Sequence, residues 1–99
     1  MPKVELVYDA DCPNVPAARD CLRQAFAAAG LPPEWSEHLA SEAPPHARGL
    51  GSPTILVDDV DVSGAPSSGP CCRVYQAEDG SLRGVPDVAL VTAALVAGA

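Results

Sequence analysis

Four cysteines carry the widest chemistry in this 99-residue chain: Cys12, Cys21, Cys71 and Cys72. A cysteine thiolate is both a nucleophile and a ligand for soft metals. Met1 runs straight into Lys3, Val4 and Leu6 with no long apolar stretch, so no export signal is read and a cytoplasmic chain is expected. Thiols in that setting are expected to react or bind metal, not to form a structural disulfide frame. Cys12 follows Asp9-Ala10-Asp11. A helix beginning just after it would place partial positive charge beside the sulfur, while the two carboxylates oppose a second negative charge and could donate a proton or orient a cation. Cys71 and Cys72 are adjacent and follow a Gly-, Pro- and Ser-rich loop, Ser63 to Pro70. They read either as partners for Cys12, as co-ligands or resolving thiols, or as two unrelated thiols of loop or core. A disulfide closed within the pair would be strained.

The elements that must position these residues follow from pattern. Val4-Glu5-Leu6-Val7-Tyr8 is rich in β-formers and ends at a polar turn, which predicts a first strand. Asn14 reads as an N-cap, Pro16 fits the first helical turn and Gly30 fits a C-cap, which predicts a helix from about 15 to 29. Its apolar stripe is Ala18, Leu22, Ala25 and Ala29, with Cys21 and Phe26 at the margins, so Cys21 is expected in the core. Glu34 to Leu39 allows a short second strand. Pro44-Pro45 permits only a truncated helix within Ala40 to Arg48. Thr54 to Val57 and Val60 to Val62, joined by Asp58-Asp59, predict a hairpin with a two-residue turn. Arg73 to Gln76 reads as strand or helical turn, and Pro86 opens a last helix with Val88, Val91, Leu95 and Val96 largely on one face. A chain of this length builds one core, so residues 1–99 are expected to form one domain.

This order of elements resembles the thioredoxin and glutaredoxin family over nearly the whole chain. Two segments carry the resemblance: Tyr8-Asp9-Ala10-Asp11-Cys12-Pro13 after the first strand, and Gly51-Ser52-Pro53-Thr54-Ile55 before the third. The implied fold is α/β and thioredoxin-like, a central mixed β-sheet of about four strands flanked by helices. The second segment looks like the family's cis-proline loop, which implies that Ser52, Pro53 and Thr54 line a substrate site beside Cys12. An ordinary trans Pro53 leading into a strand is the alternative. The chain departs from the dithiol pattern, because Val15 stands where a second cysteine would complete C-x-x-C. Cys21 does not replace it. Nine residues of helix separate two sulfurs by roughly 13 Å along the axis, against the Cα separation of about 7 Å that a disulfide allows.

The order of an isolated cysteine, a later cysteine and a vicinal pair also looks like alkylmercury lyase. In that family two cysteines and an aspartate cleave the carbon–mercury bond, the aspartate lying three residues after the first cysteine; here that position is again Val15. Asp11 is the substitute candidate for the proton donor. The resemblance implies Hg(II), or a similar soft metal ion, held by Cys12 with Cys71 and Cys72, and no resident cofactor. The competing expectations are monothiol exchange with a disulfide or glutathione mixed disulfide, and a binding module that keeps the fold without the chemistry. The expected partner is therefore a small-molecule thiol, disulfide or organometal, with the oligomeric state left open.

Charge and hydropathy exclude other classes. Thirteen acidic against six basic residues give a formal charge of −7, which disfavours nucleic acid and anionic membrane surfaces. The longest apolar run, Val88 to Ala97, is far shorter than the roughly 20 residues of a membrane span. His38 and His46 have no partner at zinc-ligand spacing and are expected at the surface. Trp35 is expected in the core or at its rim, and Arg73 and Arg83 are expected to pair with neighbouring acids.

Overall fold

Strand β1, Val4–Tyr8, is central because it is buried along most of its length on both sides. The computed structural model describes residues 2–47, 52–62, 75–76, 82–83 and 85–98. Around β1 lie β2 (Ser36–Leu39), β3 (Thr54–Val57) and β4 (Val60–Asp61), in the order β2-β1-β3-β4. β1 runs parallel to β2 and antiparallel to β3, with Val7 opposite His38 and Leu6 opposite Ile55. The result is a mixed four-stranded α/β sheet, reached by one parallel crossover through helix α1 (Val15–Ala29) and then a hairpin. β5 (Tyr75–Gln76) and β6 (Leu82–Arg83) pair separately, which resolves Arg73 to Gln76 in favour of a strand at its C-terminal end.

Side chains alternate across β1, so its two faces differ. Val4 and Leu6, with Ile55 and Val57 of β3, meet Ala18, Cys21, Leu22, Ala25 and Phe26 of α1 and Val91 and Leu95 of helix α2 (Val88–Gly98). Both helices thus cover one face. On the other face, Val7 and Leu56 meet Ala43 and Ala47. These come from a segment that makes two single 3-10 turns, Ala40–Glu42 and Pro45–Ala47, where a truncated helix is expected. Pro44-Pro45 accounts for the shortening, since proline supplies no N–H to an α-helical ladder.

The punctuation of α1 agrees with its sequence at one end and differs at the other. Gly30 sits in the left-handed region at φ 71°. Its N–H donates to Ala27 O at 3.2 Å and that of Leu31 to Phe26 O at 3.0 Å, a Schellman closure. Asn14 occupies the N-cap position, but its side chain makes no capping hydrogen bond and its backbone (φ −94°, ψ 1°) is not extended. Pro16 explains part of this, because it removes a donor that a capping side chain would bind. Pro86 lies two residues before α2, and Asp87 caps it: Asp87 Oδ1 accepts the Ala89 N–H at 3.2 Å. Val91 and Leu95 are buried as expected, whereas Val96 is exposed, since it lies a further 100° round the helix from Leu95. Trp35 takes a rim position, stacked on Phe26 with ring centroids 6.0 Å apart.

Candidate functional site

Cys12 lies in the turn between β1 and α1, at the end of the sheet where β1 finishes. Its N–H donates to the Asp9 carbonyl at 3.0 Å, closing a turn over residues 9 to 12. The Asp9 N–H in turn donates to Ser52 Oγ at 2.9 Å. This bond ties the cysteine-bearing turn to the segment that opens β3, across forty-three residues of sequence. The Ser52-Pro53 peptide is cis, as the resemblance implied. Ser52, Pro53 and Thr54 are all buried, and Cys12 keeps 8% of its surface exposed. Asp11 is exposed and Asp9 half-buried beside it. The described structure therefore joins the turn that carries Asp9, Asp11 and Cys12 to Ser52 through Asp9, with Pro53 and Thr54 next in sequence at the start of β3. Cys71 and Cys72, the expected co-ligands, lie outside the described residues, as do the side chains of Arg73 and Arg83.

The second cysteine of the described chain is a different thiol. Cys21 is packed in the core under α1, and its thiol donates to the Pro86 carbonyl at 3.4 Å. Burial, with a smaller contribution from Asp87, pushes it up to about 11. It is a structural residue, as its place on the apolar stripe predicts. Val15, at the first position of α1, is also buried. The position of the missing second thiol is thus filled by an apolar side chain packed against the fold.

A cluster that the motifs did not reveal sits on the other face of the sheet. Glu5 is only 3% exposed, yet it is a carboxylate in the central strand. His38 Nε2 lies 2.9 Å from its Oε2, and His46 Nε2 lies 3.0 Å from both of its oxygens. Lys3 Nζ adds a contact at 3.6 Å to Oε1. Burial pushes the Glu5 carboxyl up, but hydrogen bonds from His46 and His38, with the charges of His46 and Lys3, outweigh it and leave it below its ordinary value. His38 and His46 do lie toward the surface, one half-buried and one exposed, but they are not isolated, because both contact Glu5. The register explains His38: it stands opposite Val7 and thus on the face that carries Glu5, while His46 arrives on the second 3-10 turn.

The hairpin turn completes this cluster. Asp58 and Asp59 have φ of 52° and 68°, the left-handed pair that a two-residue turn of the primed type requires. The turn is latched to β1 by Lys3 N–H to Asp58 Oδ1 at 2.9 Å and Asp58 N–H to Lys3 O at 2.8 Å. Asp59 Oδ1 then lies 2.9 Å from Lys3 Nζ and 3.4 Å from His46 Nε2. The Lys3 hydrogen bond holds the Asp59 carboxyl below its usual range. The one sequence signal for the cluster is Glu5 itself, since a charged residue within a buried strand requires partners.

Fold and site together define a small α/β protein with a cysteine at the β1–α1 turn and a buried carboxylate–imidazole cluster on the far face of its sheet. Comparison of the chain with protein-family models, with curated proteins and with solved structures gave no match. Among the described residues, no helix is long and apolar enough to cross a membrane.

Proposed function

We propose that this chain is a thioredoxin-like thiol protein whose working group is Cys12, and that it captures a soft electrophile, Hg(II) or an organomercurial, at that sulfur. The observation that carries the reading is the Asp9 N–H to Ser52 Oγ bond, which holds the Cys12 turn against the Ser52-Pro53 segment. The strand order and the parallel crossover through α1 support the fold assignment. In the capture step the Cys12 sulfur forms a bond to mercury, a ligand leaves the metal, and the thiol proton goes to that ligand or to solvent. Soft thiolate chemistry favours such an ion over harder cations. Cys71 and Cys72 are the proposed further ligands. Release of the organic group from an organomercurial requires a proton at the carbon that leaves, and the exposed Asp11 is the proposed donor.

A second reading is favoured by the same Ser52-Pro53 segment: exchange with a disulfide. Here Cys12 sulfur attacks the glutathione sulfur of a glutathione mixed disulfide, a Cys12–glutathione disulfide forms and the substrate thiolate leaves; external glutathione then resolves it, releasing glutathione disulfide and the Cys12 thiolate. One set of measurements separates the readings. Hg(II) and organomercurial binding, with release of the hydrocarbon, is measured for wild type, Cys12→Ser and the Cys71→Ser/Cys72→Ser double variant, beside a glutathione-disulfide exchange assay. The mercury reading expects stoichiometric binding that Cys12→Ser abolishes; binding indifferent to Cys12 overturns it. The exchange reading expects a mixed disulfide at Cys12 and fails without one. If both fail, the chain is a binding module that retains the fold alone.

A further inference from the structure

We propose that Glu5, His46 and Asp59 form a binding site for a divalent cation of the zinc class, with a fourth position open to solvent. The inference is independent of the Cys12 reading, since no sulfur enters this site. Each of the three residues offers one ligand atom, and these atoms lie within 4.8 Å of one another. Bonds of about 2.0–2.1 Å to a tetrahedral zinc ion place neighbouring ligand atoms about 3.3 Å apart. His46 Nε2 already stands 3.0 Å from Glu5 Oε1 and 3.4 Å from Asp59 Oδ1. One imidazole and two carboxylates make a borderline-to-hard donor set, suited to zinc and its neighbours and not to the soft ions that thiolates prefer.

The surrounding structure fixes the ligands before any ion arrives. Glu5 is set by the central strand and by the hydrogen bond between its Oε2 and His38 Nε2 at 2.9 Å. His38 is thus a positioning residue, in the role that outer-shell partners of ligating carboxylates play. Asp59 is set by the left-handed turn and its latch to Lys3. The competitor is the Lys3 ammonium, which bridges Asp59 at 2.9 Å and Glu5 at 3.6 Å. Its side chain is 55% exposed, so it can swing into solvent when a doubly charged ion takes over both carboxylates. Lys3 therefore acts as the gatekeeper that sets affinity.

The test is titration of the full-length Cys12→Ser/Cys71→Ser/Cys72→Ser variant with Co(II) and then Zn(II), read by the visible spectrum of cobalt and by calorimetry. The proposal expects one Co(II) per chain, no thiolate-to-cobalt charge-transfer band, and displacement by Zn(II). His46→Ala is expected to weaken binding by about a hundredfold and Asp59→Asn by about tenfold, while Lys3→Ala tightens it several-fold. Asp59 is exposed and asparagine tolerates its left-handed backbone, so this variant keeps the test valid should substitutions at buried Glu5 unfold the chain. Should the triple-serine background itself not fold, the wild-type chain and its His46→Ala variant are titrated side by side, and loss in the variant of a cobalt-binding event that carries no thiolate-to-cobalt band makes the same distinction. Absence of saturable one-to-one binding, or an affinity unaltered by His46→Ala, by Asp59→Asn or by Lys3→Ala, overturns the proposal.

Discussion

The two faces of the sheet are built on opposite principles. Under the helices, Leu6, Ile55, Phe26, Leu22, Val91 and Leu95 are packed without a charged group among them, and even the thiol of Cys21 is spent on a backbone carbonyl. Under the two 3-10 turns, a smaller apolar cluster of Val7, Leu56, Ala43 and Ala47 sits beside a buried carboxylate held by two imidazoles and a lysine. A face covered by long helices can be stabilised by area alone. A face covered by short turns has less apolar surface to bury, and here directional polar contacts between Glu5, His38 and His46 link β1, β2 and the 40–47 segment.

Four experiments test that contrast. The largest effect is kinetic: with its thiol at about 11, Cys21 is ionised to roughly one part in a thousand at pH 8. Its alkylation in the native chain is expected to follow unfolding, and rapid labelling of Cys21 under native conditions would contradict a closed helical face. Next, Phe26→Ala is expected to cost about 3–5 kcal/mol in chemical denaturation, by loss of buried surface and by cavity formation. Glu5→Ala is expected to cost less, about 2 kcal/mol at pH 7, because its partners are part-exposed and can rehydrate. The sign of its pH dependence follows from the lowered Glu5 carboxyl. The contribution is present above the ordinary value of 4.5 and is lost as pH falls through the lower folded value. Wild type and Glu5→Ala should therefore converge in stability on acidification; parallel curves would remove charge as the organising principle of that face. The smallest effect is Gly30→Ala, about 1 kcal/mol, from forcing a β-carbon into the left-handed closure of α1.

Local pattern made the helical face legible and left the other face largely hidden. The stripe on α1, the Gly30 closure and the Asp58-Asp59 turn are decided by neighbours within a few residues, so spacing and residue type suffice to predict them. The place of Cys12 between β1 and α1 was legible for the same reason, while the bond from the Asp9 N–H to Ser52 joins two segments that local pattern does not link. His38 and His46 lie 33 and 41 residues from Glu5 along the chain and meet it only through the parallel register and the path of an irregular segment. No short motif encodes such a meeting. Asn14 took the N-cap position but made no side-chain capping bond, and Pro16, two residues later, withdraws one of the donors it would bind. Cys71 and Cys72 lie outside the described residues, so their expected partnership with Cys12 rests on the sequence.

Val15, buried at the start of α1, bears on time as well as on structure. A second thiol at that position would let the protein expel whatever Cys12 has bound within one molecular encounter, and the lifetime of the adduct would be written into the helix. With valine there, α1 contains no opening reagent, because its only thiol is Cys21, sealed in the core. On the proposed reading, an adduct on Cys12 is released by another part of the chain or by a thiol from solution. The persistence of that adduct then reports the company Cys12 keeps, not the sulfur alone.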